Sequence, residues 1–163
     1  MKPSEAEVNA EDRKSAQNAA AAYLARRART THELTQWMER KGYSPEVMRD
    51  LVGDLRSSGL LDDAAYARRY VELRTARGYG TRRIVRELRR RGIADGLASR
   101  AAAEANDEAA EAEAIQTLAI QRNDRLRSEP DVRKRKKKIF DFLIRRGYAP
   151  ETVRKVIDTL NHG

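Results

Sequence analysis

The sequence predicts an all-α protein made of three tandem three-helix repeats. Alanine, the strongest helix former, occurs 25 times in the 163 residues. Apolar residues recur at helical spacing along the chain, and no segment shows a convincing strand pattern. One stretch of the sequence also recurs further along the chain. Leu, Ile, Val and Phe together contribute only 30 residues, so we expect a thin core and an elongated array of small units.

The repeat is clearest between residues 42–51 and residues 147–156, where Gly, Tyr, Pro, Glu and Arg are identical 105 positions apart. A middle copy follows the first by 50 positions, and its matching residues are Thr81, Ile84, Leu88, Gly92, Ile93 and Leu97. The polar residues 1–15 carry no apolar stripe and are predicted to form a disordered tail. The predicted repeats then cover residues 16–60, 61–104 and 105–163.

The first repeat contains signals for three helices. Alanines and apolar residues predict a helix over about residues 15–29. Thr30 and Glu33 have capping-box spacing for a second helix, which Gly42 ends. Ser44-Pro45-Glu46 supplies an N-cap, a first-turn proline and a first-turn acid for the third helix. The residues predicted to face inward are Ala20, Tyr23, Leu24, Leu34, Met38, Val47, Met48, Leu51, Val52 and Leu55.

The second and third repeats follow the same plan. Asp62-Asp63 starts the second repeat, Gly78-Tyr79-Gly80 breaks its first helix, and Thr81 begins the next. Its third helix is predicted over about residues 95–104, and Asn106-Asp107 is the sole signal that separates it from the third repeat. The residues predicted to face inward are Tyr66, Ala67, Tyr70, Val71, Ile84, Val85, Leu88, Ile115, Leu118, Ala119, Ile139, Phe140, Leu143, Ile144, Val153, Val156, Ile157 and Leu160.

Charge indicates the class of partner. Lys and Arg number 34 against 25 Asp and Glu, for a net charge of +9, and residues 61–104 hold 11 of the basic and 6 of the acidic residues. Such a balance favours a polyanion or an acidic protein surface as partner. Arginine outnumbers lysine by 26 to 8, and its planar fork suits carboxylates and phosphates. A GC-rich genome would produce the same excess of arginine.

Composition and spacing also exclude several kinds of chemistry. The chain has no cysteine, which rules out disulfides, zinc ribbons and thiol catalysis. His32 and His162 lie far apart, so no metal site is expected, and no serine has spaced His and Asp partners. We therefore predict that the protein is not an enzyme and needs no cofactor. No apolar run reaches membrane-spanning length and no signal peptide is recognisable at the start, so a cytoplasmic location is predicted.

The middle repeat contains the most recognisable sequence motifs. Gly59-Leu60-Leu61-Asp62-Asp63 is followed by paired residues at helical spacing, then by Arg77-Gly78-Tyr79-Gly80 and Arg91-Gly92-Ile93. With the threefold repeat, these residues closely resemble the RecX family, the regulatory proteins of the bacterial recombinase RecA. The likeness covers roughly residues 17–160. Two departures are Tyr66, where family members commonly have Phe, and a Lys-rich run over residues 133–138.

The resemblance implies a curved array of repeats that lies in the helical groove of the RecA–DNA filament. Such proteins modulate, and mostly inhibit, strand exchange, ATP hydrolysis and coprotease activity, and so act in DNA repair, homologous recombination and the SOS response. The family has no catalytic residues to transfer. The expected partners are the RecA filament on DNA and, weakly and without sequence preference, single- or double-stranded DNA. No membrane partner is expected, and the chain is predicted to be a monomer. Capping of filament ends and filling of the groove are both compatible with the sequence.

The predicted contact surface is basic. Five arginines lie on the helix that turns Ile84 and Leu88 inward, so helical spacing places them on its outer face. Further cations lie on the preceding helix and in the Lys-rich run, and Tyr79 lies at the tip of the turn between helices. A solvated helix face is the alternative for each of these groups. The candidate contact residues are Arg69, Arg74, Arg77, Tyr79, Arg82, Arg83, Arg86, Arg89, Arg90, Lys134, Lys136 and Lys137.

Two other functions are compatible with the sequence. Three-helix units with a basic helix also describe helix-turn-helix DNA-binding proteins, and stacked repeats can serve as a scaffold. The basic helix has no Asn or Gln among its outward residues to pair with adenine, which disfavours a sequence reader. Gly78-Tyr79-Gly80 is interpreted as a turn between helices, since no strand precedes it. Trp37 is expected to pack beside the inward stripe, although stacking on a base is an alternative.

Overall fold

A computed structural model describes residues 5–159, with side chains from residue 11 onward. Within that range the chain forms nine α-helices and no strand, as predicted. The helices are α1 (Glu5–Arg26), α2 (Thr31–Lys41), α3 (Pro45–Ser57), α4 (Asp63–Ala76), α5 (Thr81–Arg90), α6 (Asp95–Glu104), α7 (Glu108–Arg125), α8 (Val132–Arg146) and α9 (Pro150–Thr159).

The helix termini use the signals that the sequence predicts. The Thr30 hydroxyl accepts a hydrogen bond from the Glu33 N–H at 3.1 Å, and the Glu33 carboxylate accepts one from the Thr30 N–H at 3.4 Å. Gly42 ends α2 with a φ of 83° and Gly147 ends α8 with a φ of 96°, the left-handed conformation that glycine adopts without a steric cost. Aspartates accept two backbone N–H bonds each at the starts of three further helices, namely Asp62 before α4, Asp107 before α7 and Asp131 before α8.

The start of the first helix differs from the prediction. Sequence patterning predicts a start near Ser15 after a disordered tail, whereas α1 begins at Glu5, so residues 5–15 are helical and the tail prediction is corrected there. Residues 1–4 lie outside the described residues. Ala16 is fully buried on α1, and Arg13 donates to the Asp54 carboxylate on α3 at 2.7 Å. The ion pair of Arg13 thus attaches to α3 a segment that has no apolar stripe in its sequence.

Burial follows the repeat. The second helix of each repeat buries two residues four positions apart, and these are Leu34 and Met38, Ile84 and Leu88, and Ile139 and Leu143. Several residues predicted to face inward, including Tyr66, Tyr70, Val85, Leu118, Phe140 and Ile144, are half-buried because they lie at the edges of these apolar stripes. Leu160 lies outside the described residues. Trp37 packs as expected, with its ring stacked on Tyr23 at a centroid distance of 4.5 Å.

The chain divides into two compact units. The first contains the chain up to Tyr66 together with the turn Arg91–Ile93, and the second contains Ala67–Arg90 and the chain from Ala94 onward. The first has its core among α1, α2 and α3, and the second includes a core built by α7, α8 and α9. Helix α6 ends at Glu104 and α7 begins at Glu108, so Asn106-Asp107 lies in the break between these two helices.

In each unit, the start of one helix is hydrogen-bonded to the backbone of a glycine turn. In the first unit the buried Thr30 hydroxyl donates to the Arg91 carbonyl at 2.6 Å, and the Arg91 guanidinium pairs with Glu33 at 2.8 Å. In the second unit the Gly80 N–H donates to the Arg146 carbonyl at 2.9 Å, and the Arg82 N–H donates to the Gly147 carbonyl at 3.1 Å. These bonds satisfy N–H and hydroxyl groups at the helix start that the helix itself leaves free.

Candidate functional site

The basic helix α5 separates its apolar and charged residues by face. Ile84 and Leu88 are buried, so the positions between them turn toward solvent. Four of the five predicted arginines are exposed, and these are Arg82, Arg86, Arg89 and Arg90. The fifth, Arg83, is only about a third exposed and hydrogen-bonds to Glu87 one turn later at 2.8 Å. The expectation that all five point outward is therefore corrected for Arg83, whose guanidinium finds a carboxylate on its own helix.

Glu87 organises the partly buried side of this site. Its carboxylate accepts two hydrogen bonds from Arg74 on α4, at 2.8 and 2.7 Å, one from Arg83, and one from the Tyr70 hydroxyl at 2.9 Å. Burial alone would raise the pKa of Glu87, but the bonds from Arg74, Arg83 and Tyr70 outweigh burial and lower that pKa to about 2. Because Glu87 is the sole acid of α5 and is fully engaged, it leaves the exposed face of the helix cationic.

Tyr79 lies among guanidinium groups. The guanidinium carbon of Arg74 is 3.8 Å from the centre of the Tyr79 ring, that of Arg83 is 4.5 Å away, and that of Arg146 is 5.2 Å away. Cations at these distances are attracted by the electron-rich faces of the ring. Tyr79 is half-buried rather than projecting at the tip of the turn. The structure therefore brings Arg74, Tyr79 and Arg83 together as one internal cluster.

The exposed arginines of α5 differ in how far acids neutralise them. Arg82 lies 3.8 Å from Glu151 with both side chains more than half exposed, and Arg89 pairs with Asp95 at the start of α6. Exposed pairs of this kind contribute little, and solvent screens them. Arg86 and Arg90 have no acidic partner in the part of the chain that the structure describes. These two arginines are one helical turn apart, so they form one uncompensated patch.

The remaining predicted residues are distributed over α4, the turn after it and α8. Arg69 and Arg77 are exposed, as are Lys134 and Lys137, whereas Lys136 is half-buried. At the start of α8, Asp131 accepts bonds from two backbone N–H groups and so places a negative charge beside the basic run. The Lys138 ammonium binds Glu129 at 2.6 Å, and this bond lowers the pKa of the Glu129 carboxylate. Acids thus offset part of the cost of cations at a helix N-terminus.

Arg146 is the site residue that the sequence analysis missed. Its guanidinium donates to the carbonyls of Arg77 and Gly78, at 3.1 and 2.9 Å, and its carbon also faces Tyr79. Arg146 precedes Gly147 as Arg91 precedes Gly92, so the repeat register was the available signal. Among residues 11–159 no cluster of His, Asp and Glu could hold a metal ion. No described helix is both long and apolar enough to cross a membrane.

Comparison with known proteins matches all three repeats. The model of the first three-helix domain of RecX matches residues 16–55, that of the second matches residues 62–101, and that of the third matches residues 109–157. The three matched stretches account for most of the chain. They fall one each within residues 16–60, 61–104 and 105–163.

Individual relatives agree with these matches. The chain is 36% identical to the regulatory protein RecX of Halorhodospira halophila over 141 residues, covering 84% of this chain and 83% of that protein. It is 37% identical over 128 residues to the regulatory protein RecX of Amycolatopsis mediterranei, covering 77% of this chain and 71% of that protein. The crystal structure of RecX from Lactobacillus salivarius superposes with a TM-score of 0.85 at 25% identity, over 94% of this chain and 99% of that one. The domain matches, the relatives and the shared fold agree, and the chain belongs to the RecX family of regulatory proteins.

Proposed function

We propose that this protein is a non-enzymatic regulator that binds the filament formed by the RecA recombinase on DNA and inhibits its strand exchange, ATP hydrolysis and coprotease activity. The regulatory proteins that it resembles support a regulatory role. RecA and DNA are the partners implied by the resemblance of the middle repeat. In this proposal the protein acts as a monomer in the cytoplasm and carries out no chemistry of its own.

The observation that carries the proposal is the cationic outer face of α5. Arg86 and Arg90 form no ion pair with any acid among the described residues, and the adjacent Glu87 is turned toward Arg74 instead. A filament on DNA offers both phosphates and acidic protein side chains, and a guanidinium binds either with paired hydrogen bonds. The apolar residues of α5 hold this face in place, because Ile84 and Leu88 anchor the helix from the opposite side.

The structure supports binding to a coated filament better than reading of a DNA sequence. The exposed residues of α5 include no Asn or Gln to pair with adenine. Its arginines can contact guanine, but they can equally bind phosphates, which are the same at every DNA sequence. A free helix-turn-helix-like DNA-binding protein is the alternative function. The two functions differ in whether the recombinase is needed for tight binding.

Binding to naked DNA and to DNA coated with recombinase tests the proposal. We expect the protein to bind the coated strand at concentrations that leave the same strand uncoated and free. A control strand coated with an unrelated single-strand-binding protein should remain unbound. Equal affinity for naked and coated DNA would contradict the proposal and favour the free DNA-binding alternative.

A further inference from the structure

Two open grooves occupy equivalent places in the first and second repeats. One lies between α2 and α3 with a volume of about 360 Å³, and the other lies between α5 and α6 with a volume of about 470 Å³. Four lining positions are shared at the 50-residue spacing of the repeat, which shows that the grooves are copies of one feature. The matching pairs are Thr35 and Val85, Arg49 and Ser99, Gly53 and Ala103, and Arg56 and Asn106.

Both grooves have small or aliphatic side chains inside and arginines at the edge. Met48 and Val52 line the first groove beside Gly53, and Val85 and Ala103 line the second. Aromatic rings, on which nucleic-acid bases stack, are absent from the lining of either groove. The edge of the first groove carries two exposed arginines, and so does that of the second; these are Arg49 and Arg56, and Arg82 and Arg89.

Gly53 has no role in the fold that requires glycine. It lies in the interior of α3, where glycine destabilises a helix relative to alanine, and its φ is not positive. A Cβ placed on it would meet no atom within 4 Å. An open groove gives a reason for its small size, and Ala103 at the equivalent position keeps the second groove open in the same way.

The third repeat carries a bulky side chain at one of the equivalent positions. Phe140 stands at the position of Thr35 and Val85, and Arg154 stands at that of Arg49 and Ser99. The Arg154 guanidinium carbon lies 5.6 Å from the centre of the Phe140 ring. The third repeat therefore places a bulky apolar side chain beside an arginine at these two equivalent positions.

We propose that the grooves of the first and second repeats bind an acidic protein segment that inserts a bulky apolar side chain between the helices. The arginines at each edge supply the charge that an acidic segment needs, and the third repeat supplies the model for the inserted side chain. The inference deepens the proposed function, since Arg82 and Arg89 also belong to the basic face of α5. It assigns these two arginines to protein contact rather than to phosphate.

The test is direct binding of a probe peptide to the full chain. The probe is a fluorescein-labelled synthetic peptide with one Phe flanked on both sides by Glu, and its twin has Ala in place of Phe. Fluorescence anisotropy should show that the Phe peptide binds about tenfold more tightly than the Ala peptide, since the anchor buries an aromatic side chain. Filling both grooves with Gly53→Phe and Ala103→Phe should weaken binding of the Phe peptide by a similar factor, about tenfold.

A matched control adds the same side chain elsewhere. Gly96→Phe lies on α6, outside both grooves, at a position where a Cβ also meets no atom within 4 Å, and it should leave peptide binding unchanged. Thermal melts establish that each variant is folded, and Gly53→Leu with Ala103→Leu provides a second filled form should the Phe pair fail to fold.

Several results would overturn the inference. Wild-type chain that does not distinguish the two peptides, or filled variants that bind the Phe peptide as tightly as wild type, would show that the grooves hold no anchor. Labelled oligo(dT) is a second probe in the same assay. If filling the grooves removes oligo(dT) binding and leaves peptide binding intact, nucleic acid is the occupant. The peptide assay contains no recombinase, so a negative result there would refute the inference about the grooves without bearing on filament binding. If peptide binding is intact but filament binding is absent, the proposed function is refuted and the inference about the grooves is not.

Discussion

Arg74 on α4 binds Glu87 on α5 through two parallel hydrogen bonds, from Nε to Oε2 at 2.8 Å and from Nη2 to Oε1 at 2.7 Å. Paired bonds of this type fix the relative orientation of the two groups as well as holding them together. The pair attaches α4 to α5 and withdraws the sole carboxylate of α5 from the surface. One interaction thus sets both the packing of this helix pair and the charge of its exposed face.

Replacing Glu87 with Gln should lower the free energy of unfolding at pH 7 by about 1–2 kcal/mol, because three donors lose a charged acceptor at a partly screened site. The folded-state pKa of Glu87 is about 2, below its ordinary value of 4.5. The stabilisation is therefore complete at neutral pH and is lost as the pH falls from about 4.5 toward 2. Urea titrations of variant and wild type should converge at the acid end of that range. Glu72→Gln, at an exposed position of α4, is the control, and equal stability of wild type and Glu87→Gln at pH 7 would contradict this role.

Gly147→Ala should destabilise the protein more than Gly42→Ala. Both glycines have a positive φ, which costs a residue with a side chain about 1–2 kcal/mol. A Cβ on Gly147 would also lie 2.5 Å from the Arg83 nitrogen, whereas one on Gly42 would meet no atom within 4 Å. We expect the loss at Gly147 to exceed that at Gly42 by about 1–3 kcal/mol in urea titrations, as overpacking does elsewhere. Equal losses would show that the turn does not pack closely on α5.

Thr30→Val should destabilise the first unit by about 1–2 kcal/mol, because the substitution removes an N-cap and a buried hydrogen bond. The hydroxyl accepts from the Glu33 N–H and donates to the Arg91 carbonyl, and Thr30 is fully buried. Thr30→Ser keeps the hydroxyl and should retain most of the stability. Thermal melts of the three proteins measure the difference. A valine variant as stable as the serine variant would mean that the hydroxyl contributes nothing.

Binding to naked DNA should be weak, independent of sequence and reduced by salt, because release of counterions drives binding to phosphates. Arg86→Ala with Arg90→Ala should make the negative slope of log K against log salt shallower by about 2, since each arginine that contacts a phosphate contributes about 1 to its magnitude. Anisotropy titrations on two unrelated duplexes over a series of salt concentrations measure this slope. A salt-resistant complex with one duplex that rejects single-base changes would instead favour a repressor.

The sequence predicted the helices well wherever local signals set them. The capping box of Thr30 and Glu33, the Gly42 end of α2 and the Ser44-Pro45 start of α3 all lie where local signals placed them. These signals depend on neighbours within a few residues, so no knowledge of tertiary packing was needed. The predicted beginning of α1 was wrong because residues 5–15 carry no apolar stripe, and the contact from Arg13 to Asp54 that attaches this segment joins residues 41 positions apart.

The candidate site was less predictable, since its partners are distant in sequence. Helical spacing placed the α5 arginines outward, but the partner of Arg74 lies 13 residues away and Arg146 reaches a carbonyl 68 residues away. Spacing along one helix cannot reveal such contacts. As a result, Arg74, Arg83 and Tyr79 were grouped with the exposed arginines although they form an internal cluster.

The central claim is that the uncompensated arginines of α5 bind the recombinase filament. Its most direct test titrates wild type, Arg86→Glu with Arg90→Glu, and a control reversal, Arg26→Glu with Arg27→Glu on and just after α1, into filaments while ATP hydrolysis is measured. The claim predicts that wild type and the control inhibit alike, whereas the α5 variant loses inhibition by a factor of about 30 or more, the equivalent of one broken charge contact. All three should keep the same helical spectrum and thermal midpoint. Inhibition by the α5 variant at wild-type concentrations would contradict the claim and move the search for the contact to the Lys-rich start of α8.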